Sequence, residues 1–219
     1  MSKVYVGMSG GVDSSLTAAL LVEAGHDVTG VYMKNWTQDM PGMRCPWADD
    51  LADAKRVAVR LGIDFKVFDF EQEYKQNVVD YMIAEYQAGR TPNPDIMCNQ
   101  EIKFKLFLQT ALAQGAEFVA TGHYANTKGG KLLKAFDENK DQTYFLYRVT
   151  EEALRKTLFP LGGYSKPQVR HMAAERGLST AAKKDSVGIC FVGQIGMREF
   201  LGQYVTTEAG DIIDKQTGK

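Results

Sequence analysis

The sequence predicts a doubly wound parallel α/β sheet with a helical and loop appendage, on three observations. Short apolar runs alternate with helix-period segments over residues 1–150, a glycine-rich turn joins the first run to the first helix, and the alternation stops after Thr150. Residues 3–8, rich in Val and Tyr, read as the first strand, and Leu16, Leu20 and Leu21 recur at helical spacing within a helix over 14–24. Gly25 closes that helix, 28–33 reads as a second buried strand, and 47–61 carries apolar positions three and four apart before Gly62. A third strand is predicted at 65–70, helices at 72–87 and 99–114, and a short strand at 117–121 between Gly115 and Gly122. Beyond Thr150 helices are predicted at 151–157 and 166–176, and this segment is expected to pack beside the sheet rather than extend it. Residues 210–219 read as a strand and polar turn without an obvious partner.

With 219 residues, 44% of them apolar, the chain can bury a full core. The 26 basic and 27 acidic side chains leave a net charge of -1, so charge alone does not announce a nucleic-acid binder and any RNA contact must come from a local patch. No apolar run of about eighteen residues exists, and the first strand begins at Lys3, which leaves no room for a signal peptide. The expectation is a cytoplasmic protein with no membrane contact. Three cysteines, Cys45, Cys98 and Cys190, cannot staple a secreted scaffold; in a reducing compartment such thiols are inert core residues or catalytic groups. His26, His123 and His171 lack zinc-site spacing with these cysteines, so no protein-held metal is expected apart from nucleotide-bound magnesium.

The turn Ser9-Gly10-Gly11-Val12-Asp13-Ser14-Ser15 follows the first strand and opens the first helix, where unpaired backbone N–H groups and the helix dipole attract an anion. Gly10 and Gly11 let the backbone approach a phosphate, Ser9 and Ser14 supply hydroxyls, and Asp13 either holds magnesium or caps the helix. No Gly-Lys-Ser/Thr follows, so this is not the Walker loop, and the third glycine of the dinucleotide fingerprint is missing. In a doubly wound sheet a nucleotide would lie across the strand ends, which brings Met33 and the turn at Gly122 near its base.

Asn93-Pro94-Asp95-Ile96-Met97-Cys98-Asn99 has the grammar of a helix start, with Asn93 as cap and Pro94 in the first turn. Asp95 and Cys98, three apart, share a helix face; the helix start favours a thiolate, while the carboxylate opposes it but can move a proton. A buried structural cysteine explains the same residues. Cys190 lies in Lys183-Lys184-Asp185-Ser186-Val187-Gly188-Ile189-Cys190-Phe191, a positive and glycine-containing setting for a reactive sulfur, although the two lysines also fit a solvated pair. Cys45 has no base or metal partner nearby in sequence and is taken as structural, and His123 ends a strand on the expected nucleotide side.

The first loop is similar to the S-G-G-x-D-S loop of the PP-loop ATP pyrophosphatases. Together with N-P-D-I-M-C-N at 93–99, T-G-H-Y at 121–124, K-D-Q-T-Y-F-L at 140–146 and K-K-D-S-V-G-I-C-F at 183–191, it resembles the bacterial tRNA-specific 2-thiouridylase family from end to end. The resemblance implies an ATP site at Gly7, Met8, Ser9, Gly10, Gly11, Val12, Asp13, Ser14, Met33 and Gly122. It implies that Cys98 is the nucleophile, that Cys190 carries a persulfide, that the two form a transient disulfide, and that Asn93, Pro94 and Asp95 meet the target base. Lys140, Asp141, Gln142 and His123 would contact tRNA, although a solvated turn explains the first three equally well. The implied organisation is a nucleotide-binding domain at 1–150, a helical tRNA-facing extension with the persulfide cysteine at 151–205, and the start of a truncated central domain at 206–219. Family members continue into that domain and a C-terminal β-barrel, so weak thiolation by this chain alone is expected.

The implied chemistry uses ATP with Mg2+ to adenylate the C2 oxygen of the wobble uridine, after which sulfur replaces that oxygen and AMP departs. Either the persulfide attacks directly, or Cys98 first releases hydrosulfide from it; a persulfide donor, a cysteine desulfurase or a sulfur-relay protein, must recharge Cys190. An amide-forming ATP pyrophosphatase would share the loop without needing two cysteines, and a nucleotide- or RNA-binding fragment would need neither.

Overall fold

The computed structural model describes residues 1–37, 47–185, 197–206, 210 and 213–218. Cys45 and Cys190 lie outside the described residues, as does the Cys98–Cys190 pairing. Five parallel strands, β1 (Lys3–Gly7), β2 (Asp27–Lys34), β3 (Asp64–Asp69), β4 (Phe118–Ala120) and β7 (Thr157–Leu158), form one sheet in the order β3-β2-β1-β4-β7. The doubly wound parallel sheet is as the sequence predicts. Between β4 and β7, β5 (Asn126–Lys128) and β6 (Lys131–Leu133) make a separate antiparallel hairpin around Gly129 and Gly130.

β1 is central, and its residues from Val4 to Gly7 are all buried because helices cover both sides of the sheet. Alternate side chains therefore enter two different cores. Val4, Val6 and Met8 pack with Leu16 and Ala19 of α1 (Val12–Glu23), Ala54 and Val57 of α2 (Trp47–Leu61), and Val169 and Ala173 of α8 (Lys166–Glu175). Tyr5 turns the other way, into a cluster with Val31, Phe68, Val78, Met82, Ile102 and Phe107. Burial of each such large side chain contributes about 1.5–3 kcal/mol.

The second core is lined by two long helical stretches. One runs over 71–87 as α3 (Glu71–Tyr74), a π-helical turn Lys75–Val79, and α4 (Asp80–Gln87). The other runs over 94–113 as α5 (Pro94–Met97), a π-helical segment Cys98–Leu106, and α6 (Phe107–Ala113). The first matches the helix predicted over 72–87, while the second begins five residues before the predicted 99–114, at the Asn93-Pro94 start signal; the widened π spacing, a form that clusters at functional sites, carries no periodicity that the sequence betrays.

Two expectations beyond Thr150 are corrected. The helix predicted over 151–157 stops with α7 (Glu151–Arg155), and Thr157 and Leu158 pair with Val119 and Ala120 as a fifth strand, so this segment does extend the sheet. Two residues are too short for any alternation to register. α8 in turn shares the core of α1 and α2, and Phe200 of α9 (Met197–Leu201) is fully buried in the other core. Of the C-terminal strand and turn, the turn is described, with Gly218 N–H bonded to Asp214 O at 2.8 Å, while 211 and 212 lie outside the described residues. Among the described residues no helix is long and apolar enough to cross a membrane.

Candidate functional site

Strand order reverses at β1: β2 and β3 lie to one side, β4 and β7 to the other. Such a reversal opens a crevice at the carboxyl ends of the two diverging strands, and both signature turns, 8–14 after β1 and 121–124 after β4, lie there. The Ser9 N–H donates to Ser14 Oγ (3.1 Å), and the Ser14 and Ser15 hydroxyls donate to Gly11 O (3.2 and 2.7 Å), which folds the turn back onto the start of α1. Gly11 is the N-cap residue and supplies no side-chain cap, so no cap side chain competes with an anion for the first-turn amides.

Two glycines are fixed here by close approach. Gly10 has φ of 74°, and a Cβ there would lie 2.3 Å from Asp50 O in the first turn of α2. A Cβ on Gly122 would lie 2.8 Å from the Ser14 amide nitrogen, so the turn after β4 can rest on α1 only without a side chain. Met33, at the end of β2, reaches over Gly7, its Cε 3.0 Å from the Cβ position. Gly7, Met8, Ser9, Gly10, Gly11, Val12, Asp13, Ser14, Met33 and Gly122 thus surround one end of the sheet.

Asp13 neither caps the helix nor presents an open carboxylate. Lys166 Nζ donates to both its oxygens at 2.7 Å, and the Tyr124 hydroxyl donates to Oδ1 at 2.8 Å. The same ammonium lies 2.9 Å from Asp185, which also meets Lys140 (3.0 Å) and Arg170 (2.6 Å). Burial opposes ionisation of Asp185, but hydrogen bonds from Lys166 and Lys140 outweigh it and hold the carboxyl below its ordinary range. Burial, then the Asp13 charge, push the Tyr124 phenol far upward, so it stays a donor. Lys183 clamps the neighbouring helix through Asp50 (2.7 Å) and Asp53 (2.6 Å). Among the described residues no group of three His, Cys, Asp or Glu side chains is arranged to hold a metal, and Asp13 is engaged. The one carboxylate of this loop is thus already paired with Lys166 and Tyr124, and magnesium held there would have to share it.

Cys98 and its neighbours stand on the second helical stretch. Asn93 caps α5 as predicted, its side chain accepting from the N–H groups of Asp95 (3.1 Å) and Ile96 (3.4 Å), with Pro94 in the first turn. Cys98, 4% exposed, belongs to the core. Asp95 is half-buried, and desolvation raises its pKa while Lys103 pulls against the shift. His123 is buried between Phe104 and Phe159, ring centroids 5.6 and 6.3 Å away, and its Nδ1 lies 2.8 Å from Thr121 Oγ1. Burial, and secondarily the Lys103 charge, hold its pKa well below 6.5, so it is neutral.

Residues 140–142 join the halves. Lys140 reaches Asp185, Gln142 exchanges two bonds with the Tyr124 backbone (both 2.9 Å), and Asp141 accepts from Ala135 N–H (3.0 Å) and the Thr143 hydroxyl (2.7 Å). All three polar side chains thus hold the scaffold. Sequence reading missed Lys166 and Asp185 as members of the site; a Lys-Pro pair at a helix start and an Asp after two lysines read as ordinary surface grammar.

Residues 2–194 match the family model described as tRNA methyl transferase HUP domain. The chain is 51% identical to a tRNA-specific 2-thiouridylase MnmA of Akkermansia muciniphila over 99% of its length, 51% to one of Lactococcus lactis over 97%, and 53% to one of Streptococcus agalactiae over 96%. It spans 62% of the first relative and 58% of the other two. Among solved structures, a 4-thiouridine synthetase–RNA complex with bound ATP superposes with a TM-score of 0.57 at 17% identity, over 93% of this chain and 50% of that one. An NMN synthetase from Francisella tularensis gives 0.53 at 20%, over 88% and 69%. At these identities the structural likeness is one of fold.

Lys166→Met leaves Asp13 and Asp185 short of a counter-charge and is expected to cost roughly 2–3 kcal/mol in urea unfolding, with partial recovery on adding Asp13→Asn. For His123 the unfolded chain binds a proton below pH 6.5 that the native state refuses, so stability falls as pH drops through and below that value. His123→Gln is expected to flatten this slope in urea midpoints measured between about pH 5 and 8.

Proposed function

Because the chain belongs to the tRNA methyl transferase HUP-domain family and has the fold of the PP-loop ATP pyrophosphatases, we propose that it is the ATP-binding and sulfur-transferring portion of a tRNA 2-thiouridylase. The observation that carries this reading is 51–53% identity, over 96–99% of the chain, to relatives of that name. The activity, the tRNA substrate and the persulfide donor of the whole protein are part of the proposal, as is action in the cytoplasm.

ATP binds with its phosphates against the uncapped start of α1 and its base toward Met33 and Gly122. The uridine C2 oxygen attacks the α-phosphorus and pyrophosphate leaves, which turns a poor leaving group into AMP. Sulfur then forms its bond to C2 as the C2–O bond breaks. In one route the terminal sulfur of the Cys190 persulfide attacks, and Cys98 then forms the disulfide that frees the thiolated base. In the other, Cys98 first attacks the inner sulfur and hydrosulfide is the nucleophile. Both routes end with thiolated uridine, AMP and a Cys98–Cys190 disulfide, which an external reductant reopens.

Asp95, next to Cys98 on the helix and with a raised pKa, suits proton transfer to or from the base or the thiol. Cys98 is buried, so attack requires its sulfur to gain exposure. Asp185, anchored beside the phosphate loop, precedes Cys190 by five positions, and that length of extended chain reaches at most about 18 Å.

Incubation with tRNA, ATP and a persulfide-loaded donor, followed by nucleoside mass spectrometry, tests the scheme. Cys190→Ser and Cys98→Ser are each expected to abolish 2-thiouridine while leaving ATP binding within about twofold of wild type. Undiminished thiolation by Cys190→Ser would sink the sulfur-carrier role and leave an ATP pyrophosphatase of another kind.

A further inference from the structure

The segment 140–148 spans the two halves of the site and carries a surface that the scheme above leaves unused. At its start it is fixed to Asp185 and Tyr124. At its end Phe145 O accepts from Asn99 Nδ2 (3.3 Å), next to Cys98, and the Arg148 guanidinium lies 3.6 Å from Met97 Sδ. Its backbone is wound tightly: Phe145 N–H donates to Gln142 O, Leu146 N–H to Thr143 O and Val149 N–H to Leu146 O, each three residues back. Tyr144 and Tyr147 stand three positions apart on this turn. Leu146 is fully buried and roots the turn in the core, while Tyr144 and Tyr147 remain 61% and 67% exposed.

Among the described residues neither tyrosine hydroxyl has a hydrogen-bond partner, and neither Arg148 nor Lys103 forms an ion pair. Lys103 lies on the helical segment that begins at Cys98, and Asp95 and His123 both feel its charge. The carboxylates these cations act on, Glu101 for Arg148 and Asp95 for Lys103, form no ion pair with them among the described residues. Two exposed rings on a segment that ends at Arg148, beside the reactive-cysteine helix that carries Lys103, lack the continuous apolar area of a protein-docking patch. They match unpaired nucleic acid, which offers ring faces to stack and phosphates to neutralise.

We propose that Tyr144 and Tyr147 form a stacking platform for the unpaired RNA nucleotides flanking the target uridine, with Arg148 and Lys103 meeting their phosphates. This rests on the reading of the chain as one that acts on tRNA. Stacking responds weakly to salt, whereas each phosphate contact adds to the salt dependence of binding, so the two kinds of contact separate experimentally.

The test measures binding of an anticodon stem-loop oligonucleotide, and of a fully paired RNA of equal length, across a potassium chloride series. Tyr144→Ala with Tyr147→Ala is expected to weaken stem-loop binding roughly tenfold or more with an unchanged salt slope. Tyr144→Phe with Tyr147→Phe is expected to bind like wild type, and Arg148→Gln to lower the slope by about one. ATP binding is expected to stay unchanged in all of them. Wild-type binding by the alanine pair, or equal loss by the phenylalanine pair, overturns the platform. Intact RNA affinity with impaired sulfur uptake from the donor would assign the tyrosines to a protein partner and likewise overturn it. A wild-type chain that prefers the paired RNA overturns the tRNA reading itself.

Discussion

A lysine held by two carboxylates organises this molecule. The Lys166 ammonium has three N–H donors, and they meet both oxygens of Asp13 and one of Asp185. A lysine as buried as this one is tolerated only with such full pairing. Its backbone is held as well, the Lys166 N–H donating to Asp137 at 2.8 Å. The consequence is architectural: the first turn of α1, which shapes the phosphate loop, is fixed by a helix that lies 153 positions later in the chain. The sheet supplies the crevice, but residues past 150 set its chemistry.

That arrangement extends sideways to the helix that carries Cys98. Tyr124 touches Asp13 with its hydroxyl and Gln142 with its backbone, and two residues before it Gly122 rests on Ser14. His123, between them in sequence, packs against Phe104 of the Cys98 helix. One four-residue turn therefore contacts the phosphate loop, the bridging segment and the cysteine helix. The proposed chemistry, activation and sulfur transfer on a single base, would call for such proximity, because an activated oxygen left waiting in water hydrolyses.

Much of this was legible in the residues. The alternation of runs gave the sheet, Ser9 to Ser15 marked the turn that opens the first helix, and Asn93-Pro94 marked the start of the cysteine helix, because each depends on local backbone rules. What stayed hidden depends on distant partners. Thr157 and Leu158 are a strand only because β4 offers an edge to pair with, and nothing local compels it. Lys166 and Asp185 look like surface charges until the fold buries the lysine and pairs the two. Lys140, Asp141 and Gln142 read equally as a solvated turn or as RNA contacts, and the fold gives their side chains internal partners. The hairpin at Gly129 and Gly130 was overlooked although its turn is a local signal.

The π-helical run from Cys98 to Leu106 has a mechanical corollary. Wide spacing lets a helix absorb an extra residue without rotating its two flanks against each other. Were the run to take up tighter α-helical bonding, the flanks would swing by about 100°, one residue's worth of turn, for each one-residue bulge resolved, with no change in chain length. The direction in which the Cys98 sulfur points is thus governed by which carbonyl each amide selects, rather than by where the helix axis lies.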